Sequence, residues 1–208
     1  MDRAHEAVSV AILAGGESRR MGRNKALLPL GGRPLIAHIV AIAQSLSEDV
    51  IVVTKTPEVY EFLGVPLVTD RHEGVGPLAG LHAAFDATSC PWVIALACDM
   101  PFVSRDLLNY LLRCRTDVDV VMPRVGGREE PLHAVYRREP CLSAVERAIR
   151  RGERRLISFL PSVRVRYVEE QELRTVDPEL RSFWNANTPE EWQQVVAYWQ
   201  RHMCEGRR

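Results

Sequence analysis

The sequence predicts an α/β protein: a Rossmann-like three-layer α/β/α arrangement around a mostly parallel sheet, with a C-terminal elaboration. Three observations carry that expectation. Short apolar, β-branched runs alternate with stretches whose apolar residues recur at helical spacing. The first run leads directly into a Gly-Gly loop, the place where open α/β sheets bind ligands beyond their strand ends. At 208 residues, 46% of them apolar and 26% charged, the chain has an ordinary globular composition and the length of one domain.

The elements follow in order. Val8 to Leu13 reads as a buried strand ending at Gly15-Gly16. Leu35, Ile36, Ile39, Val40, Ala43 and Leu46 mark a helix, with Pro34 suited to its first position. Val50 to Val53 is a second strand, and Pro57 to Leu63 a short helix stopped by Gly64. Pro66 to Thr69 gives a third strand and Pro77 to Ala87 a helix. Trp92 to Ala97 is the strongest core strand, and Ser104 caps a helix running to about Arg113.

The later part changes character. Val118 to Met122 is a strand, Gly126-Gly127 a turn, and Leu132 to Tyr136 a strand suited to antiparallel pairing. Helices are expected at about Glu139 to Arg150 and near Leu156, then a strand at Val163 to Val168. Thr188-Pro189-Glu190-Glu191 is a capping box with proline at the first helical position, opening the last helix. No repeat or linker divides the chain. We expect a single domain over residues 1–208, with a nucleotide-binding part at about 8–122 and a second-substrate side at about 123–200.

Charge and cysteines limit the function classes. Twenty-seven basic and 27 acidic residues balance, against the basic excess of a nucleic-acid or membrane-surface binder. Only Lys25 and Lys55 are lysine; the remaining 25 basic residues are arginine. Five scattered cysteines with no C-x-x-C fit a reduced, cytoplasmic protein. No run approaches membrane-spanning length, and the apolar start leads into a glycine loop and arginines rather than a cleavage site.

Leu13 to Lys25 (LAGGESRRMGRNK) concentrates the chemistry. Gly15 and Gly16 let backbone N–H groups approach a phosphate, and Arg19, Arg20, Arg23 and Lys25 crowd four positive charges into seven residues. The pattern is neither G-x-G-x-x-G nor a Walker loop, since Arg23 and Asn24 separate Gly22 from Lys25. Asp99 ends the strongest strand, where a carboxylate suits Mg²⁺, an ion that binds few protein oxygens and completes its shell with phosphate and water. A helix-capping role for Asp99 is the alternative, although Ser104 is better placed to cap. Asn185 and Asn187 flank Ala186 and share a side if the backbone is extended. His133 reads as a structural histidine, and Trp184, Trp192 and Trp199 as packing.

LAGG-x-S-x-R-M-G-x-x-K resembles the signature of the nucleotidyltransferases with a sugar-nucleotide pyrophosphorylase-like fold. Within them the chain is most similar to the molybdenum cofactor guanylyltransferases. Gly76 to Leu81 (GPLAGL), Cys98 to Phe102 (CDMPF), Pro131 to Arg137 (PLHAVYR), Gly152 to Leu156 (GERRL) and Phe183 to Glu191 (FWNANTPEE) match further family segments in order. The first loop alone would also admit cytidylyl- and uridylyltransferases, and the Asn-x-Asn-Thr-Pro tail favours the guanylyl group.

The resemblance implies transfer of GMP from GTP to the phosphate of molybdopterin, bare or carrying molybdenum, with Mg²⁺ as cofactor. It implies catalytic roles for Arg19, Lys25 and Asp99, and nucleotide contacts from Leu13, Ala14, Gly15, Gly16, Lys25, Asp70 and Asp99. Asp99 would be the metal ligand, and Asn185, Asn187 and Arg154 would contact the pterin substrate. On the residues alone, Asp70 is equally a turn aspartate, the two asparagines could instead fix the chain before the last helix, and Arg154 could belong to a solvated face. Some relatives carry an asparagine at the end of the second strand; here Val53-Thr54-Lys55 stands there, leaving Thr54 or Lys55 as stand-ins. Further expected partners are other molybdenum-cofactor proteins and apo-molybdoenzymes. A cytidylyltransferase, a sugar-1-phosphate nucleotidyltransferase and a non-catalytic delivery factor are the competing readings.

Overall fold

The structure, a computed structural model, describes residues 7–15, 24–69 and 76–203. Its strands, in chain order, are β1 (Val8–Leu13), β2 (Pro29–Leu30), β3 (Arg33–Pro34), β4 (Val50–Val53), β5 (Leu67–Val68), β6 (Trp92–Ala97), β7 (Val120–Val125), β8 (Arg128–Glu129), β9 (His133–Arg137) and β10 (Val165–Val168). Its α-helices are α1 (Leu35–Gln44), α2 (Pro77–Ala87), α3 (Arg105–Arg113), α4 (Arg138–Arg150), α5 (Glu170–Leu173) and α6 (Pro189–Met203). The main sheet runs in the order β10-β7-β9-β6-β1-β4-β5, with β8 added to β7 and β2-β3 forming a separate hairpin.

β1 pairs in parallel with both β6 and β4, and β4 pairs in parallel with β5. β9 is antiparallel to β6 and to β7, so it inserts one reversed strand before β10 returns parallel to β7. The predicted α/β/α layering follows from side-chain alternation along the central strands. Val10, Ile12, Val50, Val52, Ile94 and Leu96 face one core, shared with α1, α3 and α6. Ala11, Ile51, Val53, Val93 and Ala95 face the other, shared with α2 and α4. Strands buried on both faces carry no polar alternation, which is why VIVV and WVIALA read as continuous apolar runs.

Three expectations are corrected. Residues 57–63 form two 3-10 turns, Pro57–Val59 and Glu61–Leu63, rather than one helix. Thr56 makes no side-chain cap and the backbone leaves helical geometry at Tyr60 (φ −118°), which splits the segment, whereas the shorter α5 is held by a capping box. Gly64 still takes the left-handed conformation (φ 65°) that ends the segment. No helix forms around Leu156; turns lead to a 3-10 turn at Leu160–Ser162, where Pro161 supplies no backbone donor. β7 starts at Val120, two residues late, because Asp117 turns the chain at φ 55°. The helix caps are as expected. Ser104 Oγ accepts from Leu107 N at 3.3 Å, and Glu191 N donates to Thr188 Oγ1 at 3.1 Å. No helix among the described residues is long and apolar enough to cross a membrane.

Candidate active site

The strand ends build the site. Leu13, Val53 and Ala97 finish β1, β4 and β6 side by side, and Leu132 precedes the reversed β9 at the same edge. Together they open a cavity of about 390 Å³, within the range of small-ligand pockets. Ala14, Gly15, Asn24, Lys25, Thr54, Lys55, Gly76, Pro77, Gly80, Cys98 and Asp99 complete its wall. The N-terminus of α2 forms one side, and its peptide dipoles favour a negatively charged occupant. Gly80 lets that helix approach closely: a Cβ there would lie 3.2 Å from Leu13 Cδ2.

Lys25 is fixed from several directions. Asn24 caps the short turn Lys25–Leu27, its Oδ1 accepting from Ala26 N at 3.1 Å while its Nδ2 donates to the Tyr60 hydroxyl at 2.8 Å. The Lys25 ammonium lies 3.7 Å from Asp99 Oδ2 and donates to Asn187 Oδ1 at 2.7 Å. Lysine, loop-end carboxylate and tail amide therefore converge from three distant parts of the chain.

Asp99 is 23% exposed. Burial pushes its carboxyl above the usual aspartate value; the neighbouring Lys25 pulls it back, and Glu191 adds a smaller upward push. A carboxylate under that strain gains from a further positive charge. Cys98 beside it is half-buried, and its desolvation raises the thiol to about 12, so it stays protonated at neutral pH. Among the described residues no group of three or more His, Cys, Asp or Glu could hold a metal by itself. Asp99 therefore suits a metal that shares its shell with a phosphate ligand rather than one held in a protein cage.

The remaining expected site residues divide. Leu13, Ala14 and Gly15 line the cavity. Gly16, Arg19 and Asp70 lie outside the described residues, as do Arg20 and Arg23. Asn185 does not join Asn187 in its bonding; its Nδ2 donates back to Phe183 O at 3.4 Å. Arg154 is exposed, and its carbonyl oxygen lies 4.0 Å from where a Cβ on Gly76 would stand, which puts its segment beside the α2 end of the cavity.

At the second-strand position, Thr54 is buried, with its Oγ1 accepting from Thr56 N at 3.2 Å and donating to Ala14 O at 3.4 Å. It ties strand ends together, while Lys55 is exposed at the cavity edge. His133 is fully buried and held neutral by burial, which lowers it to about 4. Its ring lies 4.8 Å from that of Phe183, as a core residue. Trp199 packs on His38, and Trp184 on Phe102 and Tyr198. Sequence reasoning passed over Asn24 and Glu191 as site residues. The first carried only the signal of a cap before a short turn, and the second was absorbed by the capping box.

The chain is similar to known proteins over most of its length. The sequence profile of the MobA-like NTP transferase domain matches residues 10–167. A molybdenum cofactor guanylyltransferase of Desulfosudis oleivorans is 38% identical over 194 residues, 92% of this chain and 96% of that one. Another, from Syntrophotalea carbinolica, is 35% identical over 187 residues, 89% of each. The crystal structure of molybdopterin-guanine dinucleotide biosynthesis protein A from Archaeoglobus fulgidus superposes with a TM-score of 0.80 at 31% identity, covering 93% of this chain and 99% of that one. A 2-C-methyl-D-erythritol 4-phosphate cytidylyltransferase from Thermus thermophilus, at 20% identity and a TM-score of 0.67 over 90% and 96% of the two chains, shares the fold.

Proposed function

The chain belongs to the MobA-like NTP transferase family, and from that premise we propose that it transfers GMP from GTP to the terminal phosphate of molybdopterin, releasing pyrophosphate. The observation that carries this reading is the pairing of Lys25 with Asp99 in the wall of a strand-end cavity, with Asn187 bonded to the same lysine. The relatives' name, guanylyltransferase, supplies the nucleotide.

A phosphate oxygen of the pterin attacks the α-phosphorus of GTP, the α–β bridging P–O bond breaks, and the electron pair leaves with pyrophosphate. A phosphate monoester has its second pKa near 6, so the nucleophile is largely dianionic at neutral pH and needs no general base. The work left to the protein is to hold two polyanions together and to balance charge on the leaving group. Lys25 supplies a compact positive charge against the phosphates. The α2 N-terminus and the backbone of Gly15 offer dipoles on the nucleotide side, together with Leu13, Ala14 and, from the family resemblance, Gly16, Arg19 and Asp70. Asn185, Asn187 and Arg154 serve the pterin side.

Asp99 would hold the Mg²⁺ that accompanies the nucleotide, since it stands in the cavity wall and its partly buried carboxylate gains from a further cation. When bound, Mg²⁺ neutralises phosphate charge in such a reaction. In the cell the product would pass to apo-molybdoenzymes in the cytoplasm.

The test is pyrophosphate release from purified protein given molybdopterin, Mg²⁺ and either GTP or CTP. GTP turnover at least tenfold faster is expected; preference for CTP would make the chain a cytidylyltransferase, and release from neither a non-catalytic factor.

A further inference from the structure

Asn187 reaches Lys25 only because its backbone is held. The carboxylate of Glu191, on the first turn of α6, accepts from Asn187 N at 2.6 Å and from Thr188 N at 3.1 Å with the same oxygen, Oε2. A capping box needs one such bond, to the capping residue itself. The second reaches one residue further, into the tail. The tail is also tied to the site by Ala186 N, which donates to the Asp99 carbonyl at 3.2 Å. Two backbone bonds therefore bracket Asn187, one to the metal-side strand end and one to Glu191. Its amide oxygen is left aimed at the Lys25 ammonium, 2.7 Å away. The α6 residue and the lysine it serves are 166 positions apart in the sequence.

We propose that Glu191 is a positioning residue for guanylyl transfer, acting through Asn187 to set where the Lys25 ammonium stands. This rests on the function proposed above. The relay joins the two substrates' sides: the tail that would contact the pterin also holds the cation that would meet the nucleotide phosphates. The ammonium has three donors, so it keeps Asn187 Oδ1 on one of them while it meets the phosphate oxygens when the triphosphate arrives.

A purely structural cap is the competing account, and the box itself supplies the control. Thr188→Ala removes the reciprocal bond to Glu191 N and leaves the Glu191 carboxylate bonds in place. The chain's two lysines allow a readout independent of activity, because the Lys25 Cε signal in a ¹H–¹³C spectrum is assigned by its loss in Lys25→Arg.

The variants are Glu191→Met, which keeps bulk and helix propensity, and Glu191→Ala should methionine not fold. We expect kcat for GTP to fall at least tenfold with KM changed by less than threefold, and the Lys25 Cε signal to shift. Glu191→Gln, which keeps an acceptor oxygen, should return to within threefold of wild type. Asn187→Ala combined with the Glu191 variant should be no slower than Asn187→Ala alone, because coupled residues are not additive. Thr188→Ala should lower Tm while its kinetics stay within twofold of wild type. Kinetics in the Glu191 variant matching those of Thr188→Ala, or an unmoved Lys25 signal, would overturn the proposal. A wild-type protein inert toward GTP would instead overturn the function, while the Lys25 signal still decides the positioning.

Discussion

The two ends of the sheet hold openings of unequal size. At the carboxyl end of β1, β4 and β6 lies the cavity of about 390 Å³ that contains Lys25 and Asp99. At the opposite end, around the starts of the same strands, a wider cleft of about 1220 Å³ is lined by Asp49, Trp92, Arg113, Arg115, Arg137 and Arg164, among others. By size and by arginine content the cleft is the more conspicuous anion site.

Its charges are already engaged. Arg164 grips Asp119 through Nε and Nη2 at 3.1 and 3.0 Å, and Arg137 pairs with the same carboxylate at 3.9 Å. Arg115 lies over the Trp92 ring at 5.1 Å, and Arg113 over Tyr110 at 5.8 Å. In the small cavity the balance differs: burial keeps the Asp99 carboxyl above its ordinary value even with Lys25 beside it, so its ionised form gains from a further cation. The difference teaches that unsatisfied electrostatics, rather than volume, distinguishes a reactive site from a structural one.

Removing the carboxylate on which this contrast turns should have the largest effect. Asp99→Ala is expected to lower kcat/KM for GTP by about 10³-fold, the scale of losing a metal-anchoring or charge-stabilising group. Steady-state pyrophosphate release checks it, and activity within tenfold of wild type would break the contrast. Next comes Lys25→Arg, which keeps the charge but replaces a point ammonium with a wide fork. A loss of roughly 10- to 100-fold is expected on the same scale, with Tm little changed. Full activity in that variant would mean that any cation serves, and that the lysine in a chain otherwise rich in arginine has no chemical reason.

How much of this was visible in the sequence follows from the range of the interactions. β1, α2 and β6 were readable to the residue because their signals are local: a continuous apolar run, a proline at the first turn, a glycine just before it. Asp99 was readable for the same reason, standing at the end of the strongest strand. The bond between Lys25 and Asn187 was not, because it joins residues 162 apart and depends on a strand order that β9 interrupts with a reversed insertion. Both residues had been singled out, but nothing in either segment pointed at the other. The failure at residues 57–63 had a different origin. The helical pattern was present, but no side chain caps the segment and its backbone leaves helical geometry at Tyr60, so it settled into two 3-10 turns.

The smallest effect on activity is expected at the large cleft, where a stability effect should appear instead. Asp119 is buried and accepts from the Arg164 backbone N–H at 3.0 Å as well as from its guanidinium, and these bonds hold its carboxyl below the ordinary value of 3.8. A carboxyl with a depressed folded pKa stabilises the fold when ionised. That contribution is present above the unfolded value and is lost as pH falls through the folded one. Asp119→Asn should therefore leave GTP turnover within twofold of wild type. At neutral pH it should cost about 1–3 kcal/mol, the range for losing charge-assisted bonds to a buried group. That corresponds to a Tm lower by roughly 2–4 °C per kcal/mol in a chain of this length. Thermal melts at decreasing pH should bring variant and wild type together below pH 3.8. A constant Tm gap down to pH 2 would show that the Asp119 charge adds nothing and that packing alone holds this end of the sheet. A loss of turnover in Asp119→Asn would show instead that the two ends are coupled, and that the arginine-lined cleft belongs to the function after all.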